Sequence, residues 1–374
     1  MHCNTRTVAH NLCRPHRHCC VWLLACVLQL WTTQPLWADA LRPGEPPPAP
    51  VDNSEGSTTA AISSRNGLTV NPQKRAEARQ FFQTNYVAVD SAAHNWNGDQ
   101  ANCNAGETTP EFRAAIALRI NYYRAMAGVP ADIQLHDEYN TKAQQAALMM
   151  SANGQLNHTP PAEWVCYNAD GATAAGKSNL HLVFGPAAID GYMEDPGNGN
   201  DLVGHRRWLL YPQTQQMGTG DIPPVSGYPA ANALWVFDSN LWGPRPATRE
   251  EFVAWPPPGY VPHQVVYPRW SFAYPAADFT NATVTMSQQG NTIPVVMAPV
   301  QDGYGENTLV WTPSISVGSQ RLARPAADTV YEVTISNVQI QGVARTFSYT
   351  VTIFDPATGD PAATKALFLP LIRR

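Results

Sequence analysis

Positive charge is scarce in this chain, and charged residues are few overall. Aspartate, glutamate, lysine and arginine make up 14% of the 374 residues, with 24 basic side chains against 29 acidic ones. No basic run stands out, which argues against nucleic acid or an anionic membrane surface as a partner. Beyond residue 40, no apolar stretch reaches the ~20 residues that a membrane-spanning helix needs. No internal repeat is visible either.

The first forty residues have the organisation of a secretory signal. Basic residues come first, then an apolar run at 21–28, then small residues at 38–40 that suit a cleavage site. The basic residues are Arg6, Arg14 and Arg17. We therefore predict a signal peptide over residues 1–40 and a secreted, extracellular protein. The alternatives are a spanning helix, for which the apolar run is short, and a lipoprotein cleavage box at 23–26.

Cysteine is nearly absent once the predicted signal is set aside. Five of the seven cysteines fall within it, namely Cys3, Cys13, Cys19, Cys20 and Cys26. Only Cys103 and Cys166 remain, and an even pair in an exported protein indicates one disulfide bond. The alternative is two unpaired cysteines, one of them buried. A bridge would connect the segment before the first helix of the main domain with the loop after His158.

Composition and periodicity divide the rest of the chain into four segments. Residues 41–72 are rich in proline, serine and threonine, which predicts a flexible linker. Residues 73–254 combine helical apolar faces with alternating strands, which indicates an α+β domain. Residues 255–356 alternate with period two between turns, which predicts an all-β, immunoglobulin-like sandwich. Residues 357–374 are a C-terminal tail whose apolar end is either a sorting tag or a strand docked on the sandwich.

Local signals place the helices of the main domain. Thr109 can cap a helix whose first turn contains Pro110 and Glu111, and Gly128 ends it. Further elements are predicted from periodicity: helices at 138–152, 186–194 and 202–210, and strands at 217–222 and 233–237.

Five short motifs in this domain occur in an order that is typical of one known family. They are 120–130, Leu156-Asn157-His158, Ser178-Asn179-Leu180, 189–194, and the helix of His205 followed by Gly218-Thr219-Gly220. In these motifs the chain resembles the CAP superfamily, in its bacterial form. That superfamily comprises cysteine-rich secretory, antigen 5 and pathogenesis-related proteins. The resemblance covers about a third of the chain and implies an α-β-α sandwich for residues 73–254.

The resemblance also implies a cleft in which two histidines converge. His158 and His205 match paired histidines that hold a divalent metal in several family members. A zinc or other divalent site would use both imidazoles and Glu194, at the end of the helix before His205. The family's Gly-Glu-Asn segment reads Gly-Lys-Ser-Asn at 176–179, so a serine or lysine stands where the first carboxylate is expected. An insertion at 195–201 lengthens a nearby loop.

Three interpretations of this cleft follow. Either it holds a metal, with Ser178 contacting a water or polar ligand, or it is an empty polar cleft whose histidines only form hydrogen bonds. A hydrolase is the third, with Ser178 as nucleophile, although Ser178 lies in no Gly-x-Ser-x-Gly motif. His136 and His181 match no family position, and we interpret both as surface or packing histidines. No residue is assigned a catalytic role.

These observations favour a non-enzymatic binding or surface-associated module outside the cell. Its partner would be a divalent metal, a lipid or other small apolar ligand, or a component of the cell surface. The alternative is a metal-dependent or serine hydrolase acting on proteins or esters outside the cell. The predicted sandwich suits an adhesion or spacer role, although fold alone does not establish function.

Overall fold

The structure is a computed structural model that describes residues 43–50, 67–225, 227–315 and 322–360. The predicted signal peptide, with its five cysteines, and most of the predicted tail lie outside these residues. All described residues belong to one compact unit. None of the described helices is long and apolar enough to cross a membrane.

A four-stranded sheet forms the centre of the first half of the described chain. Its strands are β1 (Gln134–Leu135), β2 (Ser178–His181), β3 (Gln216–Ile222) and β4 (Ala231–Trp235). They lie in the order β1-β3-β4-β2. β1 runs parallel to β3, whereas the β3–β4 and β2–β4 pairs are antiparallel. β1 and β2 are therefore the edges of this sheet.

Helices cover both faces of the central sheet. The described helices are α1 (Arg75–Asn85), α2 (Pro110–Ala127), α3 (Asp137–Asn153), α4 (Ala169–Ala175), α5 (Pro186–Glu194) and α6 (Gly204–Leu209). Apolar side chains of α3 and α4 form one core with Ala233 and Trp235 of β4. Those of α2, α5 and α6 form another with Leu234 on the opposite side of that strand. The α+β class predicted from the sequence is confirmed.

The ends of α2 and α3 follow from local chemistry. Thr109 accepts a hydrogen bond from the backbone N–H of Phe112 through its hydroxyl, at 3.2 Å, and so caps α2 as predicted. Gly128 and Gly154 follow the last turns with φ of 80° and 61°, which suit glycine. The turn after Gly154 carries the chain to His158.

Two glycines of β3 allow α3 to lie directly on the sheet. A Cβ at Gly218 would come within 2.4 Å of Cβ of Tyr139, and one at Gly220 within 2.1 Å of the backbone of Ala143. A larger residue at either position would push the helix away from the strand. The Gly-Thr-Gly motif therefore has a packing role.

The second half of the described chain is built of two further sheets. One has the order β10-β11-β7-β5 and the other β6-β13-β12-β8-β9. The strands are β5 (Val253–Trp255), β6 (Gly259–Pro262), β7 (Trp270–Ala273), β8 (Thr283–Gln288), β9 (Asn291–Ile293), β10 (Val295–Met297), β11 (Thr308–Pro313), β12 (Thr329–Ile340) and β13 (Val343–Phe354). Pairing is antiparallel except between β13 and β6. The immunoglobulin-like character of this half stays a prediction.

The two halves pack directly on one another. The predicted boundary at residues 254 and 255 falls inside β5, which pairs with β7. One continuous apolar core contains residues of both halves. Across the junction, the hydroxyls of Tyr123 and Tyr267 lie 2.7 Å apart. The division into residues 73–254 and 255–356 stays a prediction about sequence segments, since no connector separates them in space.

Helix α1 is joined to the far end of the described chain. The buried Arg75 pairs with Asp328 at 2.9 Å and with Asp360 at 2.8 Å, and it donates to the carbonyl of Asp355. Arg79 also pairs with Asp360, at 2.8 Å. The beginning of the predicted main domain is thus held by residues that precede β12 or follow β13.

Candidate functional site

His205 is a fully buried polar residue of the predicted cleft. Its Nδ1 lies 2.7 Å from one carboxylate oxygen of Asp195, and its backbone N–H donates to the other at 3.0 Å. Both side chains are fully buried. Because a carboxylate only accepts, the neutral ring carries its proton on Nδ1, which leaves Nε2 as an acceptor. Nε2 is buried and has no hydrogen-bond partner among the described residues.

Asp195 reaches His205 because of how α5 ends. Asp195 follows the last helical residue with φ of 53°, a left-handed conformation that aspartate tolerates. Arg269 of the second half donates to the Asp195 carbonyl at 2.6 Å and to the Gly197 carbonyl at 2.8 Å. The loop inserted before His205 is therefore fixed by the β-sheet half of the molecule.

His158 lies where the turn after α3 meets the end of α4. Its Nδ1 is 2.6 Å from the carbonyl oxygen of Ala175, and its Nε2 is 2.5 Å from that of Glu45. Burial lowers the pKa of His158, and the nearby His205 lowers it further, against the carbonyl contacts, which raise it. Both ring nitrogens are therefore occupied by backbone oxygens.

A third imidazole, that of His181, lies beside the predicted pair. His181 ends β2 and is buried. The centre of its ring lies 5.8 Å from that of the Tyr192 ring, which in turn stacks on the ring of His205 with 5.6 Å between the centres. Burial lowers the pKa of His181 to about 3, and His205 contributes to that shift. A Cβ at Gly191 would come within 2.4 Å of its Nε2, so this glycine makes room for the ring. The interpretation of His181 as a packing histidine fits these contacts.

The other predicted residues flank the two histidines. Ser178 is fully buried in β2, and its hydroxyl has no hydrogen-bond partner among the described residues. Asn179, next to it, donates to the His205 carbonyl at 3.1 Å. Glu194 is half-buried at the end of α5, where its carbonyl accepts from Arg206. The site is thus assembled from α5, α6 and the edge strand β2.

The arrangement does not by itself form a metal site. Within the described ranges, no group of three or more His, Cys, Asp or Glu side chains could hold a metal ion. Two of the four imidazole nitrogens of His158 and His205 contact backbone carbonyls and a third contacts Asp195, so only Nε2 of His205 is available. Zinc binding by His158, His205 and Glu194 therefore stays a prediction that would require His158 to leave its present partners.

The predicted disulfide is present. Cys103 and Cys166 are joined with an S–S distance of 2.05 Å across 63 residues. The bond connects the segment before α2 with the loop between His158 and α4, as expected from an even pair of cysteines.

Two contributors to the cleft were missed by the sequence analysis. Asp195 was assigned only to an inserted loop, although a carboxylate next to Glu194 could have been considered as a partner for His205. Residues 43–47 were assigned to a linker, yet Pro43, Pro46 and Pro47 are buried at the cleft. Their composition gave no signal for this, because the contacts join residues more than a hundred positions apart.

Comparison with known proteins supports the family resemblance for part of the chain. Residues 118–228 match the family model described as CAP, the cysteine-rich secretory protein family. This match supports a CAP superfamily protein, a group that is commonly extracellular, and it includes the segments of His158 and His205. None of the curated proteins compared with the chain matches it.

Two solved structures are similar to a part of the chain. They are the methionine-rich copper resistance protein PcoC from Escherichia coli and its selenomethionine form, each 13% identical with a TM-score of 0.21. They cover 27% and 29% of this chain, and 92% and 99% of their own chains are matched. Similarity at this level supports no conclusion about the fold or the function of this protein.

Proposed function

We propose that the protein is an exported CAP-domain binding module without catalytic activity, whose cleft at His205 receives a small ligand. The single observation that carries this proposal is Nε2 of His205, a buried acceptor without a partner. Leaving a buried polar atom unpaired costs about 1–3 kcal/mol. A ligand that brings a donor or a cation to this atom would recover that free energy.

Two classes of ligand suit this atom. One is a divalent cation such as zinc, because an imidazole whose other nitrogen is held by a carboxylate is the usual arrangement of a metal-bound histidine. The other is an apolar molecule, such as a lipid, with a polar head that donates to Nε2. A component of the cell surface that presents either chemistry would be bound in the same way.

A hydrolase is supported less well. The Asp195–His205 pair resembles the base and orienting carboxylate of a nucleophilic site. Such a site needs the nucleophile within hydrogen-bond reach of the base, and the hydroxyl of Ser178 has no partner among the described residues. If purified protein cleaved peptides or esters and Ser178→Ala abolished the rate without unfolding the chain, the hydrolase would replace the binding module.

The deciding experiment is an elemental and lipid analysis of the protein recovered from culture medium, followed by zinc titration calorimetry. We expect bound zinc or an extractable apolar ligand. We expect His205→Gln to abolish its binding and Asp195→Asn to weaken it by about 10–100-fold, because Asp195 orients the ring. His158→Ala and Glu194→Ala should weaken the binding of zinc but not the binding of an apolar ligand.

His136→Gln is the matched control, since His136 precedes α3 and packs on Tyr139. It should bind as the unchanged protein does. The proposal is wrong if no metal or apolar ligand is found and neither one raises the melting temperature.

A further inference from the structure

A short extended segment lies along the open edge of the central sheet. The backbone N–H of Gly44 donates to the carbonyl of Leu180 at 3.1 Å, and Pro43 forms an antiparallel bridge with His181. Leu180 and His181 belong to β2, whose other side is paired with β4. Residues 43–47, which we call the strap, therefore extend the sheet at an edge that would otherwise carry unpaired backbone groups.

The other contacts of the strap are made through its carbonyl groups and proline rings. The indole N–H of Trp208 donates to the Pro47 carbonyl at 2.8 Å, and Nε2 of His158 contacts the Glu45 carbonyl. The Pro46 ring packs so closely on Gly204 that a Cβ there would lie 2.4 Å from Pro46 Cγ. Glu45 itself is exposed, so its side chain contributes little.

This is the chemistry by which an extended, proline-containing peptide is recognised. Proline has no backbone N–H, so a run of prolines can offer only carbonyl acceptors and ring surfaces, and these are the groups contacted here besides the N–H of Gly44. Such a run is already extended before it binds, so little conformational entropy is lost. Trp208 provides a matching donor, His158 contacts a second carbonyl, and the glycine at 204 provides the space.

We propose that the edge of β2, together with Trp208, Gly204 and His158, is a binding site for an extended proline-containing peptide, and that the chain's own strap is its resident occupant. The inference rests on the proposed function only in placing recognition at the same cleft, and it goes beyond it by adding an extended peptide to the small ligand proposed at His205. Because the strap is part of the same chain, it is present at millimolar effective concentration and competes with any external ligand.

The seating of the strap can be tested by a disulfide bond in the full chain. An ideal Cβ at Gly44 lies 3.2 Å from Cβ of Leu156, close to the separation that a disulfide requires. We expect Gly44→Cys with Leu156→Cys to form a bond that peptide mapping without reductant detects in most molecules. Gly44→Cys with Gln155→Cys is the control, since residue 155 is exposed, and it should remain largely unlinked. Equal linkage of both pairs, or linkage of neither, would overturn the proposal.

Peptide recognition can be tested on the full chain carrying a protease site inserted within residues 51–66. After cleavage, a fluorescein-labelled peptide of residues 43–50 should bind saturably in place of the released segment. Gly204→Ala should weaken that binding at least tenfold, because the new methyl group overlaps Pro46. Gly176→Ala is the matched control: its Cβ meets nothing closer than 3.4 Å, so binding should change less than twofold.

A peptide with Gly44→Pro, which lacks the N–H that pairs with Leu180, should also bind at least tenfold more weakly. Peptide recognition would be refuted if the Gly44→Pro peptide bound as tightly as the unchanged peptide. It would also be refuted if the unchanged peptide bound the Gly204→Ala protein as tightly as the unchanged protein. Neither result depends on zinc or lipid. A chain that binds the peptide but no metal or apolar molecule would refute only the proposed small-ligand function. A chain that binds a metal or apolar molecule but not the peptide would refute only the proposal of peptide recognition.

Discussion

Three imidazoles lie close together at one end of the central sheet, and each is held by a different kind of contact. His205 is fixed by the buried carboxylate of Asp195, His158 by two backbone carbonyls, and His181 by packing on Tyr192. The contacts decide which ring can respond to a ligand. Among the described residues, Nε2 of His205 and Nδ1 of His181 are buried without a hydrogen-bond partner, whereas both nitrogens of His158 contact carbonyl oxygens while the strap is seated.

Burial of His181 predicts a pH dependence of stability. Its pKa is about 3 in the folded protein, against 6.5 for an unperturbed histidine. Between these values the unfolded chain binds a proton that the folded chain excludes. Stability is therefore greatest above pH 6.5 and falls by up to about 1.4 kcal/mol per unit as the pH decreases toward 3. Urea unfolding at pH 7.5, 6.0 and 5.0 measures this slope.

His181→Phe should reduce the slope between pH 6.5 and 5, because phenylalanine keeps an aromatic ring and has no titrating group, whereas the lowered pKa of His158 still contributes. His94→Phe, at a half-buried histidine that packs on Phe112 and Phe184, is the matched substitution elsewhere in the fold. An unchanged slope in His181→Phe would mean that other groups cause the acid sensitivity.

Among the elements, the loop before α4 depends most on a covalent link. Cys103→Ser with Cys166→Ser should lower the free energy of unfolding by about 2–4 kcal/mol, because opening a 63-residue loop increases the entropy of the unfolded chain. Guanidinium unfolding of the oxidised, reduced and doubly substituted proteins measures the effect. A reduced protein as stable as the oxidised one would show that packing alone holds the loop.

The elements that the sequence predicted well are those specified by neighbouring residues. The capping threonine, the first-turn proline and the terminal glycine of α2 lie within twenty residues of each other, and the helix occupies Pro110–Ala127 as expected. The helix predicted at 138–152 is α3, at Asp137–Asn153. The disulfide followed from counting cysteines.

The elements that escaped prediction depend on distant partners. Residues 43–50 have the composition of a linker, and contacts with distant residues, among them His158, Leu180 and Trp208, make them part of the fold. The carboxylate that contacts His205 is that of Asp195, which lies in a loop held by Arg269, 74 residues further along the chain. No periodicity in the sequence reports such contacts.

At the scale of the whole molecule, the α+β half and the β-sheet half form one packed body. Arg206 and Arg207, the two residues after His205, both insert into the second half, where they donate to backbone carbonyls. This arrangement favours a role for the second half in shaping the cleft over the adhesion or spacer role considered from the sequence.

Removing one of these arginines should destabilise the whole protein. Arg207 donates to the carbonyls of Gln301, Tyr304 and Glu306 at 2.6 to 3.1 Å. Arg207→Leu leaves these oxygens without their donor in a buried junction, so we expect a loss of about 2–4 kcal/mol in the free energy of unfolding. Chemical unfolding followed by circular dichroism and by tryptophan fluorescence provides the measurement.

Arg345→Leu is the control, because the side chain of Arg345 is 40% exposed and that of its partner Glu251 is 61% exposed. Exposed pairs contribute at most about 1 kcal/mol, so its effect should be small. If Arg207→Leu is no more destabilising than Arg345→Leu, the junction does not depend on this arginine.

The attachment of α1 to the end of the described chain has a consequence for biosynthesis. Arg75 contacts the carbonyl of Asp355, 280 residues later in the chain. At a synthesis rate of about 5–20 residues per second, the ribosome makes Asp355 about 15–60 s after Arg75. The partners of the α1 arginines, Asp328, Asp355 and Asp360, are all made late, so the attachment of α1 cannot be completed before the second half has been made. Ribosome-bound chains stopped before Asp355 should therefore be cut by protease near α1, and chains released after it should resist.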